Sequence, residues 1–168
     1  METLRKGLDK VLEFICCTLL ALMTILVTWQ VVSRYVLNNP STITEELVLF
    51  SFVWMGLLGG AYLFGKNEHM AMTFLFDKLS EKNQIKVRIF FELVIMAFAV
   101  FILIFGGYNM SKLSMGQLSS SLQIPMGYIY LALPLSGITT VIYNILNIYD
   151  IINELSIHKN KKGSSIAQ

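Results

Sequence analysis

The chain has 168 residues, of which 55% are hydrophobic and only 14% charged, and its mean hydropathy is +0.62. A soluble domain carries about one-quarter charged residues, so the composition excludes a soluble enzyme domain and a disordered regulator. A formal charge of +2 is too small to mark a nucleic-acid binder.

The surplus apolar residues gather in four stretches without charge, 14–33, 47–65, 93–111 and 113–149. Each is close to or beyond the roughly 20 residues that cross about 30 Å of hydrocarbon as a helix. They predict an all-α integral membrane protein with four transmembrane helices at 11–36, 46–65, 90–111 and 125–149. One membrane domain then covers 1–155, and a basic tail, 156–168, is expected to be disordered. Lys and Arg number three before the first span, then one, five and one in the connections, and three in the tail. The positive-inside rule then predicts cytoplasmic termini (N-in/C-in) and a cytoplasmic 66–92 loop.

Basic residues before an apolar run resemble a signal peptide. The run is far longer than a cleavable core of about 7–15 residues, and Thr28-Trp29-Gln30 is unsuited to cleavage, so the segment is expected to remain as an anchor. Cys16 and Cys17 are adjacent, which disfavours a disulfide between them and lacks the CxxC redox spacing; they read as small apolar residues. Asn38-Asn39-Pro40 is a strong helix stop. After it, Thr42-x-x-Glu45 fits a capping box, and acidic Glu45 and Glu46 oppose the positive end of the second helix dipole. Capping alone explains Glu45; a periplasmic contact surface that includes Arg34 is the other reading. Gly56 and Gly60 form GxxxG beside Gly59, a small face suited to close helix packing.

In the second connection Met72, Leu75, Phe76 and Leu79 share one helical face opposite Asp77, Lys78 and Ser80. This predicts a short amphipathic helix at the cytoplasmic membrane surface, facing lipid or another subunit. His69 nearby reads as a surface hydrogen-bonding group. The third connection, 112–124, is polar but carries one charge, Lys112, and ends at Pro125. Pro134 should kink the fourth helix unless that helix starts later than expected.

Ion-coupled carriers place ionisable groups inside the membrane, whereas here every charge falls near a predicted helix end. Helix-borne histidine pairs for haem, periplasmic cysteine pairs, a phosphate loop and a nucleophile elbow are all missing from the sequence. The expectation is a chain with no catalytic residues, no metal ligands and no cofactor of its own.

Several segments then fall into a familiar order. Arg34-Tyr35-Val36, Pro40 and Thr44-Glu45-Glu46-Leu47 are followed by Trp54-Met55-Gly56-Leu57-Leu58-Gly59 and by Gly65-Lys66-Asn67-Glu68-His69. Phe74-Leu75-Phe76-Asp77-Lys78-Leu79 comes next, then Ser121-Leu122-Gln123-Ile124-Pro125-Met126-Gly127 and Tyr130-Leu131-Ala132-Leu133-Pro134. Over about 34–137 the chain resembles the small membrane (Q, DctQ-like) subunit of tripartite ATP-independent periplasmic (TRAP) transporters. Ile43 departs from the family's frequent Trp. The resemblance implies a scaffold in the bacterial inner membrane, packed against a large elevator-type M subunit that holds the sodium and substrate sites. A periplasmic binding protein would deliver an organic acid such as a dicarboxylate or sialic acid, meeting this chain around Arg34, Glu45, Glu46 and Gln123. Lipids are expected partners and nucleic acids are not. The alternative is a free-standing four-helix carrier or channel working as a homo-oligomer.

Overall fold

The computed structural model describes residues 2–66 and 81–164. The first helix, α1 (Glu2–Tyr35), begins nine residues before the expected span. Arg5, Lys6, Asp9 and Lys10 halt the apolar run without breaking the helix, because charged side chains are compatible with helix at the membrane edge. Asn38, at φ 49°, closes the turn after α1 in the left-handed region that asparagine tolerates better than most residues.

The second span is α2 (Thr42–Gly65). Its N-cap is Ser41, not Thr42, and no side chain caps it; Thr44 Oγ1 instead donates to Ser41 O at 2.9 Å. The expected capping box is therefore absent, and Glu46 is used elsewhere. The third span joins α3 (Glu81–Phe98), a π-helical segment over Ala99–Gly106 and α4 (Gly107–Leu113). The fourth joins one turn, α5 (Gly127–Tyr130), to α6 (Ala132–Ser164). Because α6 starts at Ala132, Pro134 lies in its first turn, where a missing N–H leaves no intrahelical acceptor short. Pro134 thus sits where the fourth span breaks between α5 and α6, in the first turn of α6. The backbone of α6 runs past the boundary expected for a disordered tail, to Ser164. Between Gly137 and Gly163 no proline and no glycine interrupts it. The face predicted from Met72, Leu75, Phe76 and Leu79 lies outside the described residues.

Among the described residues four spans are long and apolar enough to cross a membrane: Thr3–Tyr35, Thr42–Gly65, Gln84–Gly116 and Gly127–Asn153. Polarity is inverted relative to a soluble bundle. Phe14, Ile25, Phe52, Phe101 and Phe105 are exposed, whereas Ser51, Ser111, Ser136, Thr140 and Asn144 are buried. That suits a hydrocarbon solvent, in which polar groups are satisfied only inside the protein.

The spans do not close into a ring. α1 packs on α2, α2 on α6, and α6 on α3 and the π segment, giving the lateral order first, second, fourth, third. Half of the fourth span's apolar window is buried, against 6% for the first. The row is one helix deep, with its outer helices open to the surroundings. Leu12, Leu58 and Tyr143 form the core where α1, α2 and α6 meet, with Trp54 and Tyr62 against it.

Close approach within the row depends on glycines outside the GxxxG pattern. A Cβ on Gly107 would sit 2.6 Å from Leu133 Cβ, and one on Gly137 would sit 2.8 Å from Leu103 Cβ. Gly65 lies flat against the Tyr143 ring, and Gly127 against the Ser111 carbonyl and Met115. Only hydrogen fits at these crossings.

Candidate functional site

At one end of the row lies the loop between the third and fourth spans. A short 3-10 turn, Ser114–Gly116, leads into a small hairpin in which Leu118 bridges Pro125. Ser119 N donates to Ile124 O at 2.9 Å, and Met126 N to Gln117 O at 2.8 Å. Gln123 takes φ 55°, and its Nε2 donates to the carbonyls of Ser119 and Ser120 at 3.1 and 3.0 Å.

This turn leaves three successive backbone N–H groups pointing the same way, a concavity suited to an anion. Glu46 fills it from α2. Its Oε1 accepts from Ser120 N at 2.8 Å and Ser121 N at 3.2 Å; its Oε2 accepts from Ser121 N at 3.1 Å and Leu122 N at 2.8 Å. The carboxylate thereby ties the loop to the start of the second span. Charge-assisted bonds of this kind are among the stronger hydrogen bonds.

The four residues expected to form one contact surface therefore divide. Glu46 and Gln123 meet in the same loop and are occupied with its backbone. Arg34, in the last turn of α1, and Glu45, in the first turn of α2, are exposed at the same end. Charges there suit the local helix dipoles.

At the opposite end, the start of α1 and the far part of α6 come together, so both helices finish on the same side. Arg5 Nη1 pairs with Asp150 Oδ2 at 2.8 Å. Its Nη2 donates to the Gly65 carbonyl at the end of α2, and to Asn147 Oδ1 at 3.1 Å. Asn147 Nδ2 donates to Phe64 O at 3.3 Å and to Glu92 Oε1 at 3.4 Å. Tyr143 OH donates to Asp9 Oδ1 at 2.5 Å. One guanidinium thus caps α2 while holding α6, and Asn147 extends the network to α3. Glu92, a charge near the start of the third apolar stretch, is 6% exposed, and Asn147 is its partner. The signal was available in Tyr143, Asn147 and Asp150, polar groups at i, i+4 and i+7 on one helix face.

Along the flank of α2, a Cβ on Gly56 or Gly60 would meet nothing within 4 Å, and one on Gly59 would meet Cys16 Sγ at 3.9 Å. Gly59 faces α1, while Gly56 and Gly60 face away from the chain. Among the described residues no group of three or more His, Cys, Asp or Glu could hold a metal ion.

Residues 23–154 match the family model described as "Tripartite ATP-independent periplasmic transporters, DctQ component". The chain belongs to the DctQ family. A Haemophilus influenzae protein assigned as a TRAP transporter small permease is 32% identical over 138 residues, 82% of this chain and 85% of the relative. The sialic acid TRAP transporter small permease protein SiaQ of Vibrio cholerae is 28% identical over 155 residues, 92% of this chain and 89% of SiaQ. A further match, 31% over 102 residues, is to the sialic acid TRAP transporter permease protein SiaT of Haemophilus influenzae. It covers 60% of this chain but only 16% of SiaT. This DctQ chain is accordingly a multi-pass inner-membrane protein and the small permease subunit of a tripartite transporter. Its family consists of transporters, not enzymes.

Proposed function

We propose that this DctQ chain is the fixed scaffold of a sodium-coupled uptake system for an organic acid, with sialic acid the favoured substrate. It stands beside a large permease subunit that carries the sodium and substrate sites, and its terminal end faces the cytoplasm. The observation that carries the partnership is the SiaT match: a segment like this chain makes up 16% of a longer permease polypeptide. Fusion into one polypeptide makes sense when two parts work side by side in fixed proportion.

The shape supports a scaffold over a carrier. Among the described residues a row one helix deep encloses no passage for solute, and its least buried helix, α1, offers a long apolar flank. The open Gly56 and Gly60 face allows close approach by a helix of the large subunit. On the loop side, exposed Arg34 and Glu45 are among the charges available to a periplasmic binding protein. Two relatives named for sialic acid favour that substrate among organic acids.

Reconstitution tests this reading. Proteoliposomes holding this chain and its large permease, supplied with the binding protein and an inward sodium gradient, should accumulate labelled sialic acid. Omitting this chain should abolish uptake. Full uptake without it, or without sodium, would refute the corresponding part of the reading.

A further inference from the structure

An open cleft of about 490 Å³ lies between the first turns of α1 and the end of α2, lined by Lys6, Asp9, Lys10, Glu13, Tyr62 and Lys66. Lys6 and Lys10 are one helical turn apart and share a face of α1. Lys66 comes in from the C-cap of α2, its Nζ 4.6 Å from the centre of the Tyr62 ring. Three ammonium groups thus converge against two carboxylates, and one of those, Asp9, accepts the Tyr143 hydroxyl. The cleft carries a surplus of positive charge at the level where the helices leave the hydrocarbon.

The walls below decide between a free anion and an amphiphile. Continuing the Lys6, Lys10 ladder by one more turn reaches Phe14, which is 73% exposed, and on α2 the neighbour of Tyr62, Leu63, is 61% exposed. A cationic pocket therefore stands directly above an apolar surface, which is the chemistry of a phospholipid and not of a soluble phosphate. Basic pockets between helices at the membrane surface attract anionic headgroups in this way.

We infer that this cleft is a binding site for the phosphate headgroup of an anionic phospholipid, held by Lys6, Lys10 and Lys66, with the acyl chains along Phe14 and Leu63. The bound lipid would fix the depth of α1, the helix least supported by the rest of the chain.

The test uses the full chain purified with its large subunit in detergent, with phosphatidylglycerol and phosphatidylethanolamine added in equal amounts and retained lipid counted by native mass spectrometry. Wild type should retain phosphatidylglycerol preferentially. The Lys6→Gln/Lys10→Gln/Lys66→Gln variant should lose that preference by roughly tenfold or more, and the corresponding triple arginine variant should keep it. Lys10→Gln alone gives a smaller loss should the triple glutamine variant fail to assemble, and Lys112→Gln at the loop end should change nothing. Unchanged retention in both the triple glutamine variant and Lys10→Gln would overturn the site. Displacement of the lipid by equimolar inorganic phosphate would also overturn it, by showing an anion site without lipid recognition.

Discussion

Replacing Gly107 with valine should separate the third span from the fourth. The new Cβ would lie 2.6 Å from Leu133 Cβ and 3.0 Å from Pro134 Cδ, where ordinary contact begins at 3.4 Å. Both opposing atoms are fixed close to the backbone, so neither can swing aside as the end of a long side chain would. Overpacking of this kind costs about 1–3 kcal/mol, and the two methyl groups of valine place it near the upper end. Valine's better helix propensity returns only a few tenths of that. The net loss is about 2 kcal/mol, or roughly a thirtyfold fall in the folding equilibrium. Titration of the detergent-purified chain with SDS, followed by tryptophan fluorescence, reads the change, since Trp54 packs against the core. A Gly107→Val chain as stable as wild type would refute the close crossing of these helices.

Four further variants separate the other elements. Glu46→Ala should speed amide hydrogen exchange at Ser120, Ser121 and Leu122 by tenfold or more with the spans unaffected; unchanged exchange would show that the loop holds without its carboxylate. Arg5→Ala should destabilise the chain by about 2–3 kcal/mol in the same SDS titration, because it removes a charged donor shared by the Gly65 carbonyl and Asn147 Oδ1 on two helices. Asp150→Asn should cost under about 1 kcal/mol, as its side chain is 51% exposed, and equal effects from the two would contradict the capping role of Arg5. Gly56→Ile/Gly60→Ile should leave the isolated chain's unfolding midpoint nearly unchanged yet weaken its retention by the large permease at least tenfold, measured by tagged capture. A large loss of stability without the partner would instead place those glycines inside the monomer.

The four spans were legible in the sequence because hydropathy records the solvent each segment meets. Helix ends were less so: Arg5, Lys6, Asp9 and Lys10 end the apolar run of α1 but extend the helix. Glu46 was legible as an acidic residue near a helix start, but its acceptor role depends on a turn 74 residues further along, which no local pattern encodes. Glycine shows the same division. Gly56 and Gly60 stand out as a motif, whereas Gly65, Gly107, Gly127 and Gly137 follow no common spacing and are set by what the neighbouring span presents. The Arg5 network joins four spans, and only its α6 portion, Tyr143, Asn147 and Asp150, leaves a periodic trace.

The central claim, that this DctQ chain is one fixed part of a larger permease, is tested most directly by its company in the membrane. The chain would be tagged, extracted gently from native membranes and weighed intact with whatever accompanies it. A large polytopic partner at constant ratio, retained through purification, is the result the account predicts. A homo-oligomer without that partner, moving solute by itself in liposomes, would contradict it.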